Sequence, residues 1–195
     1  RKEYPTAFEC RGADTPITLD GRDDDPAWRH AQVIDSFPLS WLGTAAHPTQ
    51  AATRAKLLWD REYLYFFADM DDADLFADVT EQDGTTWNND VFELFFRPAR
   101  DKPGYFEFQV NAAGTKFDCF MPKRDDKRIN EWKKQGDFHI EAKVHLRGTL
   151  NKRDDVDRGW SVEGRIPWTD FLRAGGRPVA DEKWACSLCR YDYRK

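Results

Sequence analysis

An all-β chain folded as an antiparallel β-sandwich, of immunoglobulin or jelly-roll-like kind, is what this sequence predicts, on three observations. Apolar residues alternate with period two in short runs, the spacing of half-buried strands. Stretches rich in Asp, Lys, Arg, Gly and Pro separate those runs. A 3.6-residue apolar period almost nowhere persists long enough for a helix.

Taken in chain order, Pro26 to Ala31 reads as a short helical turn. Ala55 to Trp59 and Tyr63 to Ala68 read as strands, with Asp60, Arg61 and Glu62 as their hairpin turn. Val91 to Phe96 follows a polar loop. Tyr105 to Val110 and Thr115 to Phe120 flank Asn111-Ala112-Ala113-Gly114, whose asparagine and glycine suit a tight connection. Phe138 to Leu146, Trp160 to Ile166 and Trp184 to Tyr191 complete the strands. Trp168 to Leu172 reads as a second helical turn, with Pro167 at a first position where its missing N–H costs nothing. There is no internal repeat, low-complexity tract or long linker, so residues 1–195 are expected to form one domain.

Eight Trp and fourteen Phe supply a large core, while 33% charged residues point to a wet surface. The net charge of -5 comes without a basic block, which argues against a nucleic-acid partner. No stretch approaches the roughly 18 consecutive apolar residues of a membrane helix, so no membrane partner is expected. Residues 1–5 do not read as a signal peptide.

Cys10, Cys119, Cys186 and Cys189 allow three full pairings. Cys186 and Cys189 have CxxC spacing, but no second CxxC or His pair completes a zinc site. Three apart on a strand, they point to opposite faces and are not expected to bond to each other.

Alternation places Phe106, Phe108 and Val110 on one face of their strand, and Glu107, Gln109 and Asn111 on the other. Phe92, Leu94 and Phe96 likewise turn inward, leaving Glu93 beside Val91 and Phe95. Trp87 sits in the polar loop 83–90, among residues that do not bury well. An aromatic ring beside a stripe of carboxylates and amides suits a sugar, which has an apolar C–H face and a hydroxyl edge. By pattern alone, the stripe also reads as the solvated face of a one-sided sheet, with Trp87 tucked into the core edge.

Several segments in order resemble carbohydrate-binding module family 9. They are Ile17-Thr18-Leu19-Asp20-Gly21 with Ala27-Trp28, Leu58-Trp59-Asp60 with Tyr63-Leu64-Tyr65, and Trp87-Asn88-Asn89-Asp90-Val91-Phe92-Glu93-Leu94-Phe95. Phe108-Gln109-Val110-Asn111, Val162 to Trp168 and Trp184 to Tyr193 follow. The resemblance implies non-catalytic binding, with Trp87 stacking on the sugar and Asp90, Glu93, Gln109, Asn111 and Arg190 completing the ligand-binding set. It also implies an oligosaccharide or polysaccharide partner such as xylan. The chain is then expected to be secreted or periplasmic, with a glycoside hydrolase on the same or a co-exported chain. A second stacking Trp is placed beyond the last matched strand; Trp41 and Trp132 are the candidates within the sequence. Cys189 stands where the family has a polar contact.

Some family members hold structural calcium, and Asp23-Asp24-Asp25 and Asp69 to Asp74 offer hard oxygen ligands without the EF-hand spacing. Three other functions stay open. Glu93 and Glu107 form a carboxylate pair of the type glycoside hydrolysis uses, although none of His30, His47, His139 and His145 sits in a nucleophile motif. Haem binding would need Met70 or Met121 as an axial ligand, and Met70 is expected in an acidic turn. A sandwich that serves as an interaction module without binding sugar is the third.

Overall fold

The alternation that predicts each strand also decides which sheet it enters and which face it buries. The structure is a computed structural model that describes residues 7–38, 51–98, 101, 103–124, 126–127 and 138–193. Its strands are β1 (Arg11–Gly12), β2 (Thr53–Trp59), β3 (Tyr63–Met70), β4 (Val91–Arg97), β5 (Tyr105–Asn111), β6 (Lys116–Met121), β7 (Glu141–Leu146), β8 (Trp160–Pro167) and β9 (Ala185–Tyr191). One sheet has the order β1-β2-β3-β8-β7 and the other β6-β5-β4-β9. Every pairing between these strands is antiparallel except β1 with β2.

Phe66, Ala68, Met70, Trp160, Val162 and Ile166 of the first sheet meet Phe92, Leu94, Phe96, Phe106, Phe108 and Val110 of the second. All are buried, and a fully buried Phe or Leu is worth roughly 1.5–3 kcal/mol. After β8 a short 3-10 turn, Trp168–Ala174, drops Phe171 into one end of this core. Its ring centroid lies 5.0 Å from that of Phe106 and 5.8 Å from that of Phe108. Glycine is required at Gly164, because a side chain there would run into the Phe66 ring.

A second apolar layer covers the outer face of the five-stranded sheet. Ile17, Ala27, Trp28 and Ala31 pack on Leu58, Tyr65 and Phe67. With both faces covered, β3 reads as a nearly continuous apolar run rather than as clean alternation, and β2 becomes one from Leu57 to Trp59. The layer is pinned by Glu163, which is fully buried on β8. Its Oε1 accepts the Trp28 indole N–H at 2.9 Å, and its Oε2 accepts the backbone N–H groups of Asp20 at 2.8 Å and Gly21 at 3.1 Å. Gly21 has φ 90°, and a Cβ there would meet the His145 backbone nitrogen at 2.8 Å.

Three expectations change. The strand predicted over Phe138 to Leu146 begins at Glu141, because the backbone N–H of His139 donates to Asp170 Oδ2 instead of entering a ladder. Phe138 packs edge-on to Phe108 at 5.5 Å. Pro167 ends β8 and caps the following turn from outside it. Met70 is not in a turn: it is the last residue of β3, fully buried in the core opposite Trp160, a position that packs its thioether and offers no axial site. Trp41 and Trp132 lie outside the described residues.

Candidate functional site

β4 lies between β5 and β9, so its outward residues are flanked on both sides. Val91, Glu93 and Phe95 face Asn111, Gln109 and Glu107 on β5, and Tyr191, Cys189 and Ser187 on β9. Phe117 of β6 stands opposite Gln109. One row across the sheet therefore reads Phe117, Gln109, Glu93, Cys189.

Glu93 sits near the middle of this row at 4% exposure. Burial, followed by repulsion from Glu107, pushes its carboxyl up to about 7. Among the described residues, no N–H or O–H donates to that carboxylate. A buried carboxylate without donors is costly to keep charged, and it is a strong acceptor for any hydroxyl brought to it.

The 3-10 turn Thr86–Asn88 carries Trp87 onto this face. The buried Thr86 hydroxyl donates to Gln109 Oε1 at 2.6 Å, fixing the turn to β5. Half-buried Trp87 packs on a patch of Phe117, Cys119 and Met121, its ring perpendicular to that of Phe117 at 5.4 Å. The strand holding Phe117 is two strands from Glu93, or about 10 Å at the usual strand spacing. That span matches a sugar ring resting between an aromatic face and an acid.

Tyr191 and Tyr193, both exposed, border the same region and were not anticipated from sequence. Tyr191 opposes Val91 on the Glu93 face, and Glu93 is the main reason its phenol is raised above the usual range. The Tyr193 hydroxyl donates to the Trp87 carbonyl at 2.6 Å. Strand alternation could have found Tyr191, which shares a face with Cys189; Tyr193 lies beyond the strand, where alternation stops.

The expected ligand set divides in three. Trp87 and Glu93 stand on one face as the sequence suggested. Gln109 shares that face but is 1% exposed and bonded to Thr86 and, through its Nε2, to Glu107 Oε1 at 2.7 Å, so it positions its neighbours. Asn111 is fully buried and has no hydrogen-bonding capacity left for a ligand. Its Nδ2 donates to the Val79 carbonyl and Asn89 Oδ1, and its Oδ1 accepts the N–H groups of Ala113 and Thr115.

Asp90 and Arg190 are on the opposite side of the sheet, since Arg190 pairs with Phe92 rather than with Glu93. Both Asp90 oxygens accept backbone N–H groups, from Phe76 at 2.6 Å and Tyr193 at 2.7 Å. Arg190 reaches the Asp71 carbonyl at 2.9 Å, Asp72 at 3.4 Å and Asp192 at 3.3 Å. Neither residue reaches the Glu93 face.

Asp72, Asp90 and Asp192 bring oxygens within 4.8 Å of one another, the chemistry of a hard-cation site. The Arg190 guanidinium already lies against two of them, and Asp90 is spent on backbone N–H groups. In the other acidic run, Asp23 pairs with Lys56 at 2.8 Å and Asp25 accepts the Thr18 N–H at 2.8 Å. Arranged in this way, Asp72 and Asp192 pair with Arg190, and Asp23 pairs with Lys56, so both acidic runs are tied into ion pairs with basic side chains.

A two-sheet sandwich bearing a tryptophan, two tyrosines and an acid around one outer face is the architecture of a β-sandwich binding module. The family described as "Carbohydrate family 9 binding domain-like" matches residues 19–192, and the chain belongs to that family. An exoglucanase XynX from Acetivibrio thermocellus is 26% identical over 163 residues, covering 83% of this chain and 12% of that protein. An endo-1,4-beta-xylanase A from Thermoanaerobacterium saccharolyticum is 25% identical over 162 residues, again 83% of this chain and 12% of the relative.

Among solved structures, a carbohydrate binding module family 9 from Caldicellulosiruptor kristjanssonii in complex with cellotriose superposes with a TM-score of 0.60 at 18% identity. The match covers 94% of this chain and 76% of that one. A putative carbohydrate-binding protein from Bacteroides uniformis gives 0.67 at 12% identity, covering 94% and 82%. At these identities the structures show that the fold is shared.

Proposed function

We propose that this chain binds carbohydrate without catalysing its breakdown, on the outer face of the four-stranded sheet. A sugar ring stacks on Trp87, and its hydroxyls donate to Glu93. Tyr191 and Tyr193 stand where a second aromatic wall would contact it. The observation that carries this is Glu93, buried mid-sheet with no donor of its own among the described residues.

Family membership supports the sugar assignment. The non-catalytic role is supported by the chain matching only 12% of the length of relatives named for enzyme activities. Glu93 and Glu107 also project from one sheet face in the same direction, instead of flanking a scissile bond. The relative named for xylanase activity, the one named an exoglucanase and the structure holding cellotriose make β-linked xylose and glucose oligomers the first sugars to try. Export and a role beside a polysaccharide-degrading enzyme are supported by the two relatives matched, both named for such enzyme activities.

Calorimetric titration of wild type and Trp87→Ala with xylo- and cello-oligosaccharides tests the proposal. Binding by wild type that is lost in a folded Trp87→Ala variant supports the site. No heat with any sugar favours an interaction module that has kept the fold alone.

A further inference from the structure

We propose that Cys10 and Cys186 form a disulfide that joins the edge of one sheet to the edge of the other. β1 and β9 are edge strands of their sheets. The parallel register Arg11 to Leu58 and Gly12 to Trp59 sets Cys10, one residue earlier, beside Leu57, and both pack against the core between the sheets. Cys186 pairs with Phe96, another core residue, so it too faces the inter-sheet space.

Contacts at the two ends of β9 fix its level over the first sheet. Arg190 donates to the Ala52 carbonyl at 3.4 Å and to the Thr53 hydroxyl at 3.3 Å, setting residue 190 over the start of β2. At the other end the Trp184 ring packs 5.9 Å from Trp168, whose indole N–H donates to the Asp60 carbonyl just past β2. β9 therefore runs antiparallel to β2 beneath it. Four residues back from Arg190 is Cys186, and four on from Thr53 is Leu57. Each step is about 13 Å, which brings Cys186 level with Leu57 and Cys10.

The other pairings are closed by geometry. Cys189 faces outward beside Glu93, opposite in direction to Cys186. Cys119 faces outward on β6, with β5 and β4 between it and β9, about 14 Å at normal strand spacing and beyond the roughly 7 Å a disulfide spans. Burial, and then the neighbouring Cys186 sulfur, push the Cys10 thiol up to about 12, in keeping with two thiols that share one edge.

Cys186 is exposed and is the sulfur an oxidant reaches first. Its thiolate attacks a small-molecule disulfide such as oxidised glutathione, releasing one glutathione thiolate and leaving a mixed disulfide. Cys10 then attacks Cys186 Sγ and expels the second glutathione, which takes the Cys10 proton. Two protein thiols are oxidised and one disulfide is reduced to two thiols, so the step balances. Facing sheets normally stand about 10 Å apart and the Cα atoms of a disulfide about 6 Å, so the bond draws these edges together by roughly 4 Å.

Equilibration of the folded protein in a glutathione redox buffer, followed by alkylation, digestion and mass spectrometry, tests this. Expected is one linked pair of peptides holding Cys10 and Cys186, two hydrogens lighter than the separate peptides, with Cys119 and Cys189 alkylated. Alkylation of all four cysteines, or any other linked pair, overturns it. Thermal unfolding of the same wild-type samples is expected to show reduction lowering Tm by roughly 5–10 °C. That dependence should survive Cys189→Ser and vanish in Cys186→Ser; a wild-type Tm indifferent to reductant overturns the proposal.

Discussion

Two glutamates, each on an inner strand of its own sheet and each turned to that sheet's outer face, meet opposite fates. Glu163 is covered by the N-terminal layer and receives three donors from its own chain, including the Trp28 indole. Glu93 is nearly as buried and receives none among the described residues. Burial raises both carboxyls, and in Glu163 the three donors pull against that rise. The contrast separates structure from function: a carboxylate completed by its own chain holds the fold together, and one left incomplete is ready for a ligand.

If that distinction holds, the two faces should respond to mutation in different currencies. The largest effect is expected from Trp28→Ala, which empties the sealed face of a fully buried indole and should destabilise the fold by about 3–5 kcal/mol in denaturant unfolding. Glu163→Gln comes next. Its amide N–H group would confront donors, with an expected loss of about 2–3 kcal/mol in the same measurement. Trp87→Ala should weaken sugar binding by about 2 kcal/mol or more, roughly thirtyfold, with a much smaller change in stability. A stability loss on the scale of Trp28→Ala would make Trp87 a core residue and erase the contrast.

Glu93→Gln sharpens the comparison through pH. Glu93 and Asp118 are both raised to about 7, chiefly by burial. A carboxyl raised in the folded state contributes stability fully below its unfolded value, and that contribution is lost as pH climbs through about 7. Wild-type Tm should therefore be higher at pH 5.5 than at pH 8. Glu93→Gln should shrink that difference and gain about 1 kcal/mol at pH 8, while weakening sugar binding. A Tm that rises from pH 5.5 to pH 8 in wild type but not in the variant would mean that Glu93 already has a partner.

The strands were legible because period-two alternation is local: β2 to β6, β8 and β9 begin and end within two residues of their expected bounds. β1 was not, since two residues carry no period and its pairing partner lies over forty residues away. The outer layer of Ile17 and Trp28 was also hidden, because burial of a sheet's second face depends on a segment elsewhere in the chain. At the site, Trp87 and Glu93 could be read from one loop and one strand. Asn111 could not be judged, because its donors and acceptors are spent on Val79, Asn89 and the following turn, which sequence spacing does not bring together. Arg190 was open to the same alternation that finds Tyr191: next to Cys189, it points to the opposite face of β9.

Asp90 serves the site from behind the sheet. Its carboxylate gathers the backbones of Phe76 and Tyr193, and the Tyr193 hydroxyl in turn ties down the Trp87 carbonyl, so three distant segments are fastened before any sugar arrives. The ordering entropy of the aromatic platform is settled during folding and is not drawn from the binding energy. Capture then needs no rearrangement of that backbone, and affinity differences between sugars should show up in how quickly each escapes rather than in how quickly it docks.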